Sequence, residues 1–127
     1  MLFDTDVLIW VLRGQQSAAK LIDEDKQRFI SVVNYMELMQ GARSNKEQAL
    51  LKQFLKSLNF TVLPLSEAIS HHAAFFIEEY ALKSGLQLAD ALVFATAYVH
   101  SLTLCSANEK HFRDIASLSS SVFRPDA

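Results

Sequence analysis

The chain has 127 residues, half of them hydrophobic, and its 12 basic against 14 acidic side chains give a formal net charge of −2. This length suits one compact core, so we expect a single domain over residues 1–127. Proteins that coat nucleic acid are usually basic, because phosphate neutralisation dominates such binding. The slight excess of acid argues against that class but leaves room for an enzyme with a local basic rim.

The only cysteine, Cys105, excludes an intrachain disulfide and fits a reducing compartment; on an apolar strand we expect it to be buried and inert. The apolar run at 7–12 is too short for a signal peptide core and follows acidic rather than basic residues. The longest apolar stretch, 88–99, is interrupted by Asp90 and is too short to span a bilayer. We therefore expect a cytoplasmic protein with no membrane partner.

Short apolar runs alternate with stretches of helical spacing along the chain. In chain order they predict a strand at 1–3, helices at 6–13 and 17–26, a strand at 29–33, a helix around Glu37, a helix at 46–58, a strand at 60–63, a helix from Ser66 to near Gly85, a helix at 86–100, and strands at 103–105 and 122–123. Ser31 or Asn34 is expected to cap the helix around Glu37, which Gly41 closes. This alternation predicts an α/β fold with a parallel sheet, in which ligands bind at the carboxyl ends of the strands.

Asp90 is the only acid in an otherwise apolar helix. An ionised carboxylate in apolar surroundings is costly unless it is paired or coordinates a metal. It is therefore either a functional residue or half of a buried salt bridge. Asp4 follows an apolar strand, where an acid is often only a helix cap, and Glu37 lies on a helix where an exposed Glu is common.

Taken together, these three acids indicate more than each does alone. Each stands at a strand end or near a helix start, so all three are able to meet in one cleft. Clustered carboxylates raise each other's pKa unless a cation lies between them. Oxygen ligands without a His or Cys cluster favour Mg²⁺ or Mn²⁺ over zinc, and such an ion activates water for phosphodiester hydrolysis.

The sequence resembles a PIN domain, most closely the VapC-type ribonuclease toxins of type II toxin–antitoxin pairs. The matching segments, in the family's order, are residues 2–9 (LFDTDVLI), Ser31 with Glu37, Leu38 and Gly41, residues 88–92 (LADAL), and residues 106–112 (SANEKHF). By this resemblance Asp4, Glu37 and Asp90 form the family's acidic, metal-binding triad. Thr5 supports the first acid, and Ser106 stands at the family's usual hydroxyl position.

The resemblance implies a PIN-like three-layer sandwich with a central parallel β-sheet, and an endoribonuclease that uses Mg²⁺ or Mn²⁺. It also implies an RNA substrate, a cognate antitoxin that blocks the acidic cleft, and a homodimer. Two positions depart from the family pattern. Asp6 stands where Asn or Ser is commoner and is either an extra ligand or a cap. Asn108 stands where many PIN domains carry a fourth acid, which puts a second metal site in doubt.

Two rival functions remain open at this stage. Asp4-Thr5-Asp6 after an apolar strand resembles the opening motif of phosphatases with an aspartyl nucleophile, although no convincing downstream acidic pair follows. The second rival is a PIN-like binding module without catalytic activity. The three intact acids argue against it. The adjacent His71 and His72 are expected to have a surface or partner role rather than to bind metal, and His100 and His111 are expected to be structural. The basic residues of the region before and on the helix at 46–58 are expected to form a solvated face or a basic rim for RNA; they are Arg43, Lys46, Lys52 and Lys56.

Overall fold

Five short strands form one parallel sheet in the computed structural model, which describes residues 1–125. The strands are β1 (Leu2–Phe3), β2 (Phe29–Ser31), β3 (Thr61–Leu63), β4 (Leu104–Ser106) and β5 (Ser120–Val122). Their order across the sheet is β3-β2-β1-β4-β5, and every neighbouring pair is parallel. The shortest strand, β1, is central, because Leu2 pairs with Phe29 on one side and with Leu104 on the other.

Within residues 1–125, seven helices cover the two faces of this sheet. They are α1 (Thr5–Leu12), α2 (Gln16–Glu24), α3 (Val32–Gly41), α4 (Asn45–Ser57), α5 (Glu67–Ser84), α6 (Leu88–Val99) and α7 (Glu109–Phe112). Successive strand residues point to opposite faces, so Leu2 joins the core beneath α5 and α6, whereas Phe3 joins the core beneath α1 to α4. The result is a three-layer sandwich around a parallel sheet, which confirms the predicted fold class.

The boundary between β2 and α3 differs from the prediction. The β-branched residues Val32 and Val33 were expected to continue the strand, but they form the first turn of α3. Ser31 Oγ accepts a hydrogen bond from the Val33 amide at 3.1 Å, and Asn34 Oδ1 accepts one from the Ser31 amide at 3.1 Å. This reciprocal cap satisfies amides that a helix start leaves unpaired, and it outweighs the strand preference of the two valines.

The long helical region divides into α5 and α6 where the sequence indicated. Ser66 Oγ accepts from the Ile69 amide at 3.2 Å at the start of α5, and Gly85 ends the helix with a left-handed φ of 71°. Six of the twelve residues of α6 are buried, all of them between Ala91 and Ala97, and the helix packs against α5. The short helix α7 was not predicted as a separate element.

Several remaining predictions concern the whole chain. Cys105 is buried, as predicted, and burial raises the pKa of its thiol to about 12. Among residues 1–125, no helix is both long enough and apolar enough to cross a membrane. The single domain over residues 1–127 stays a prediction, and its last two positions, 126–127, lie outside the described residues.

Candidate active site

Asp4 is the centre of a polar network at the carboxyl end of β1. Its Oδ1 accepts hydrogen bonds from the Thr5 amide at 2.9 Å and from Asn34 Nδ2 at 3.1 Å. Its Oδ2 accepts from Ser106 Oγ at 2.9 Å. Asp4 is thus the N-cap of α1, the commonplace role considered from the sequence, but it also receives donors from α3 and β4. Three separate elements fix the orientation of this one carboxyl group.

Glu37 joins the same network through a hydroxyl group. Thr5 Oγ1 donates to Glu37 Oε1 at 2.9 Å, and Asn34 Nδ2 donates to Thr5 Oγ1 at 3.0 Å. Asn34 and Glu37 are three residues apart on α3, so they lie on the same face of that helix. Asn34 is buried and Glu37 is exposed, which places the glutamate at the solvent side of the network. Thr5 therefore hydrogen-bonds both acids, Asp4 through its amide and Glu37 through its hydroxyl. Asn34 is a further polar residue of the site, which the sequence indicated only as a helix cap.

Asp6 lies on the first turn of α1 and faces the end of β4. Its Oδ2 accepts hydrogen bonds from Ser106 Oγ at 3.2 Å and from the Ala107 amide at 3.1 Å. Its Oδ1 is buried and has no hydrogen-bond partner in the described part of the chain. A buried carboxylate oxygen without a partner is costly, and a cation is one ligand that would satisfy it.

Asp90 lies on the first turn of α6, and its Oδ2 is 2.7 Å from Nδ1 of His111. The two side chains are 26% and 19% exposed, so the pair is only partly shielded from water. Asp90 therefore has a side-chain partner, as the salt-bridge alternative requires, and the contact is an ion pair when His111 is protonated. His111 was expected to be structural, and its contact with a candidate catalytic acid was missed because 21 residues separate the two in sequence.

The acids influence one another electrostatically. Burial raises the pKa of Asp4 from 3.8 to about 7, and the charges of Asp6 and, to a smaller extent, Asp90 act in the same direction, against hydrogen bonds from Ser106 and the Thr5 amide. Burial likewise raises the pKa of Asp6, to which the charge of Asp90 also contributes. The raised pKa means that the protonated form of Asp4 is favoured more strongly in the metal-free protein than in a free aspartate. A nearby cation would favour its ionised form.

The donor set fits a hard divalent cation, since it consists of carboxylate oxygens and includes the unpaired Oδ1 of Asp6. Within residues 1–125, no three His, Cys, Asp or Glu side chains are arranged closely enough to hold an ion together. Asn108, at the position of the doubtful fourth acid, is exposed, and its side chain does not cap α7. Its backbone amide donates to Ser106 Oγ at 3.1 Å and so steadies the hydroxyl between Asp4 and Asp6.

A parallel sheet of this strand order, with acids at its carboxyl edge, indicates an α/β domain with an acidic site. A model of the PIN domain matches residues 1–118 of the chain. Because this match covers most of the sequence, the chain belongs to the PIN-domain family.

Curated and solved relatives agree with this assignment. Ribonuclease VapC1 of Rickettsia felis is 31% identical over 125 residues, which cover 93% of this chain and 92% of that protein. Ribonuclease VapC10 of Mycobacterium tuberculosis is 33% identical over 116 residues, 88% of this chain and 85% of that protein. A solved toxin–antitoxin complex from Klebsiella pneumoniae contains a chain that is 30% identical, with a TM-score of 0.78 and coverage of 92% and 93%. These relatives are VapC-type ribonucleases and a toxin–antitoxin assembly.

Proposed function

We propose that this protein is the ribonuclease toxin of a toxin–antitoxin pair, and that it hydrolyses RNA internally with a divalent metal ion. The family and its VapC relatives support the ribonuclease activity. The assignment of the site rests on the surroundings of Asp4. Its carboxylate accepts hydrogen bonds from α1, α3 and β4, and burial and the charge of Asp6 raise its pKa. Asp4 and Asp6 are partly buried and repel each other, which is costly to the fold, and a bound cation relieves that cost.

Asp4, Glu37 and Asp90 do not stand close enough together in this structure to hold an ion, so their side chains would turn towards one another when Mg²⁺ or Mn²⁺, the ions that oxygen ligands favour, binds. When bound, such an ion supplies an activated water molecule and stabilises the charge that develops on the phosphate oxygens. The chain's own polar residues orient the acids. Asn34 and Ser106 hold the two oxygens of Asp4, and Thr5 holds one oxygen of Glu37. Asp6, through its unpaired Oδ1, would be a further oxygen ligand or would hold a water molecule of the ion.

Access to the site is suited to a large ligand. Glu37 is exposed at the edge of the network, and the lysines and arginine of the suggested basic rim are exposed on and before α4. We propose that this rim contacts RNA phosphates, which would offset the acidic balance of the whole chain. The rim residues are Arg43, Lys46, Lys52 and Lys56.

An apolar groove of about 150 Å³ adjoins Thr5 and Glu37. It is lined by side chains from α1, α3 and α4, and Ile9 and Leu12 on its wall are 36% and 46% exposed. The toxin–antitoxin complex among the relatives supports a cognate antitoxin for this chain. The groove is an apolar surface beside the acids to which such an antitoxin would bind. A homodimer and a cytoplasmic location remain part of the proposal.

The rival functions receive less support. An aspartyl-nucleophile phosphatase needs a lysine at its acid, whereas the described hydrogen-bond partners of Asp4 are Thr5, Asn34 and Ser106. An idle binding module has no need of three oriented acids.

Cleavage of RNA by purified protein tests the proposal. We expect cleavage with Mg²⁺ or Mn²⁺, none in EDTA, and loss of activity in Asp4→Asn, Glu37→Gln and Asp90→Asn. Asp114→Asn, an exposed acid outside the network, is the matched control and should cleave normally. Undiminished cleavage in EDTA by protein freed of contaminating nuclease would contradict the metal mechanism.

A further inference from the structure

Two consecutive residues of α7 attach it to the first turns of α6. Phe112 is buried and packs edge-on against Phe94, with ring centroids 5.9 Å apart and an interplanar angle of 84°. His111, beside it, places Nδ1 2.7 Å from Asp90 Oδ2. Asp90 and Phe94 are four residues apart, so they share one face of α6. The Phe112–Phe94 contact packs α7 against α6, and the His111 imidazole contacts the carboxylate of Asp90.

We propose that His111 is a positioning residue for the metal site, which acts by holding Asp90 in the orientation that ligates the ion. This inference rests on the proposed function, because it requires that Asp90 bind a metal. An ionised carboxylate only accepts hydrogen bonds, so Nδ1 of His111 carries the hydrogen and donates it to Oδ2. Oδ1 is then the oxygen of Asp90 that is left for the ion.

The position of His111 in the chain supports this role. The segment from Ser106 to His111 already contacts the two acids near the end of β1, since Ser106 Oγ donates to Asp4 and Asp6, and the Ala107 amide donates to Asp6. His111 extends the same arrangement to Asp90. One segment, which begins at β4 and ends in α7, thus supplies donors to three carboxylates that lie on two different helices or at a strand end.

The alternative is that the Asp90–His111 pair serves only to stabilise the fold. The partial exposure of the two side chains argues against a large contribution to stability. The two side chains are 19% and 26% exposed, so water is able to replace part of the lost contact, and its removal should cost less stability than the loss of a fully buried ion pair. Phe112 and the buried Ile115 hold this region of the chain independently of the imidazole. Removal of the His111 donor should therefore affect the metal site much more than the fold.

The experiment measures Mn²⁺ affinity of the full-length protein by isothermal titration calorimetry, together with urea unfolding in EDTA. Loss of a group that orients a metal ligand commonly weakens metal binding by about 10- to 100-fold, and we expect this for His111→Phe, with little change in unfolding. His111→Asn, which keeps an N–H donor near the Nδ1 position, should recover most of the affinity. His71→Phe is the matched control, because His71 also lies near a carboxylate, that of Glu67 at 3.7 Å, but on the exposed face of α5.

The outcomes separate this inference from the proposed function. If His111→Phe binds Mn²⁺ as tightly as the wild type while Asp4→Asn does not bind, the metal site stands and the role of His111 is overturned. If both His111 variants lose affinity equally and lose stability in parallel, the pair is structural and the inference is overturned. If the wild type itself does not bind Mn²⁺, the proposed metal site fails, and with it the role of His111.

Discussion

Replacement of Asp4 by Asn removes a partly buried charge and preserves the shape of the side chain. The Asn oxygen is able to accept from the Thr5 amide and Asn34, as Asp4 Oδ1 does at 2.9 and 3.1 Å. The new amide group faces Ser106 Oγ, whose hydroxyl hydrogen is free to turn to Asp6 at 3.2 Å. The substitution therefore breaks no hydrogen bond of the network, and its effect on stability reports mainly on the charge.

The size and sign of the effect follow from the pKa of Asp4, which burial and the charge of Asp6 raise from 3.8 to about 7. Because the folded pKa lies above the unfolded one, the stabilising contribution is complete below about pH 4 and is lost as the pH rises to about 7. One pKa unit corresponds to about 1.4 kcal/mol, so the loss above this range is roughly 4 kcal/mol, an upper limit for coupled acids. Asp4→Asn escapes this loss.

Urea unfolding in EDTA, from about pH 4 to about pH 8, measures the difference. The variant should be more stable than the wild type at the alkaline end, and the two should converge at the acidic end. Asp114→Asn, the exposed control, should follow the wild type at every pH. A variant that is equally or less stable at about pH 8 would refute the claim that Asp4 is buried against neighbouring negative charge.

The remaining predictions concern the ion and its neighbours. Mn²⁺ at ten times its dissociation constant should stabilise the wild type by roughly 1.4 kcal/mol but not Asp4→Ala, and an equal rise of melting temperature in both would show that Asp4 is not a ligand. Asp90→Asn keeps an acceptor for His111, so in EDTA its stability should change by less than about 1 kcal/mol, while cleavage with metal is abolished; a loss of about 3–5 kcal/mol would instead indicate a structural ion pair. Thr5→Val removes the hydrogen bond to Glu37 and should reduce cleavage, at a stability cost of about 0.5–1.5 kcal/mol by thermal unfolding; unchanged kcat would contradict the supporting role.

Local sequence patterns predicted the elements that deliver the acids. An apolar run ending at Asp4 predicted a strand with an acid at its carboxyl end, and that strand is central in the sheet. The single acid in an apolar helix pointed to Asp90, which lies on the first turn of α6. Both inferences depend only on neighbouring residues, because hydrophobic periodicity and the cost of a buried charge are local properties.

The contacts that orient these acids depend on tertiary structure, and residue patterns alone did not predict them, although the family resemblance gave supporting positions to Thr5 and Ser106. Asn34 reaches Asp4 across 30 residues, and Ser106 reaches it across 102, because β1 lies between β2 and β4 in the sheet. The Asp90–His111 contact likewise requires α7 to fold back onto α6. No spacing rule relates such positions, so the donors of the site appear only once the strand order is known.

The same network explains how the fold tolerates its acids before any ion binds. Each oxygen of Asp4 has a donor, and Asp6 has donors on one oxygen only, so the cluster is partly but not fully compensated. If protein donors satisfied every carboxylate oxygen, no lone pair would remain for a metal ion. If they satisfied no oxygen, the carboxyls would be protonated or the fold would be unstable. A site built for a cation must therefore lower the stability of the metal-free protein. This is why a neutral substitution that strengthens the fold and abolishes cleavage is the signature expected of a catalytic acid, and not of a structural one.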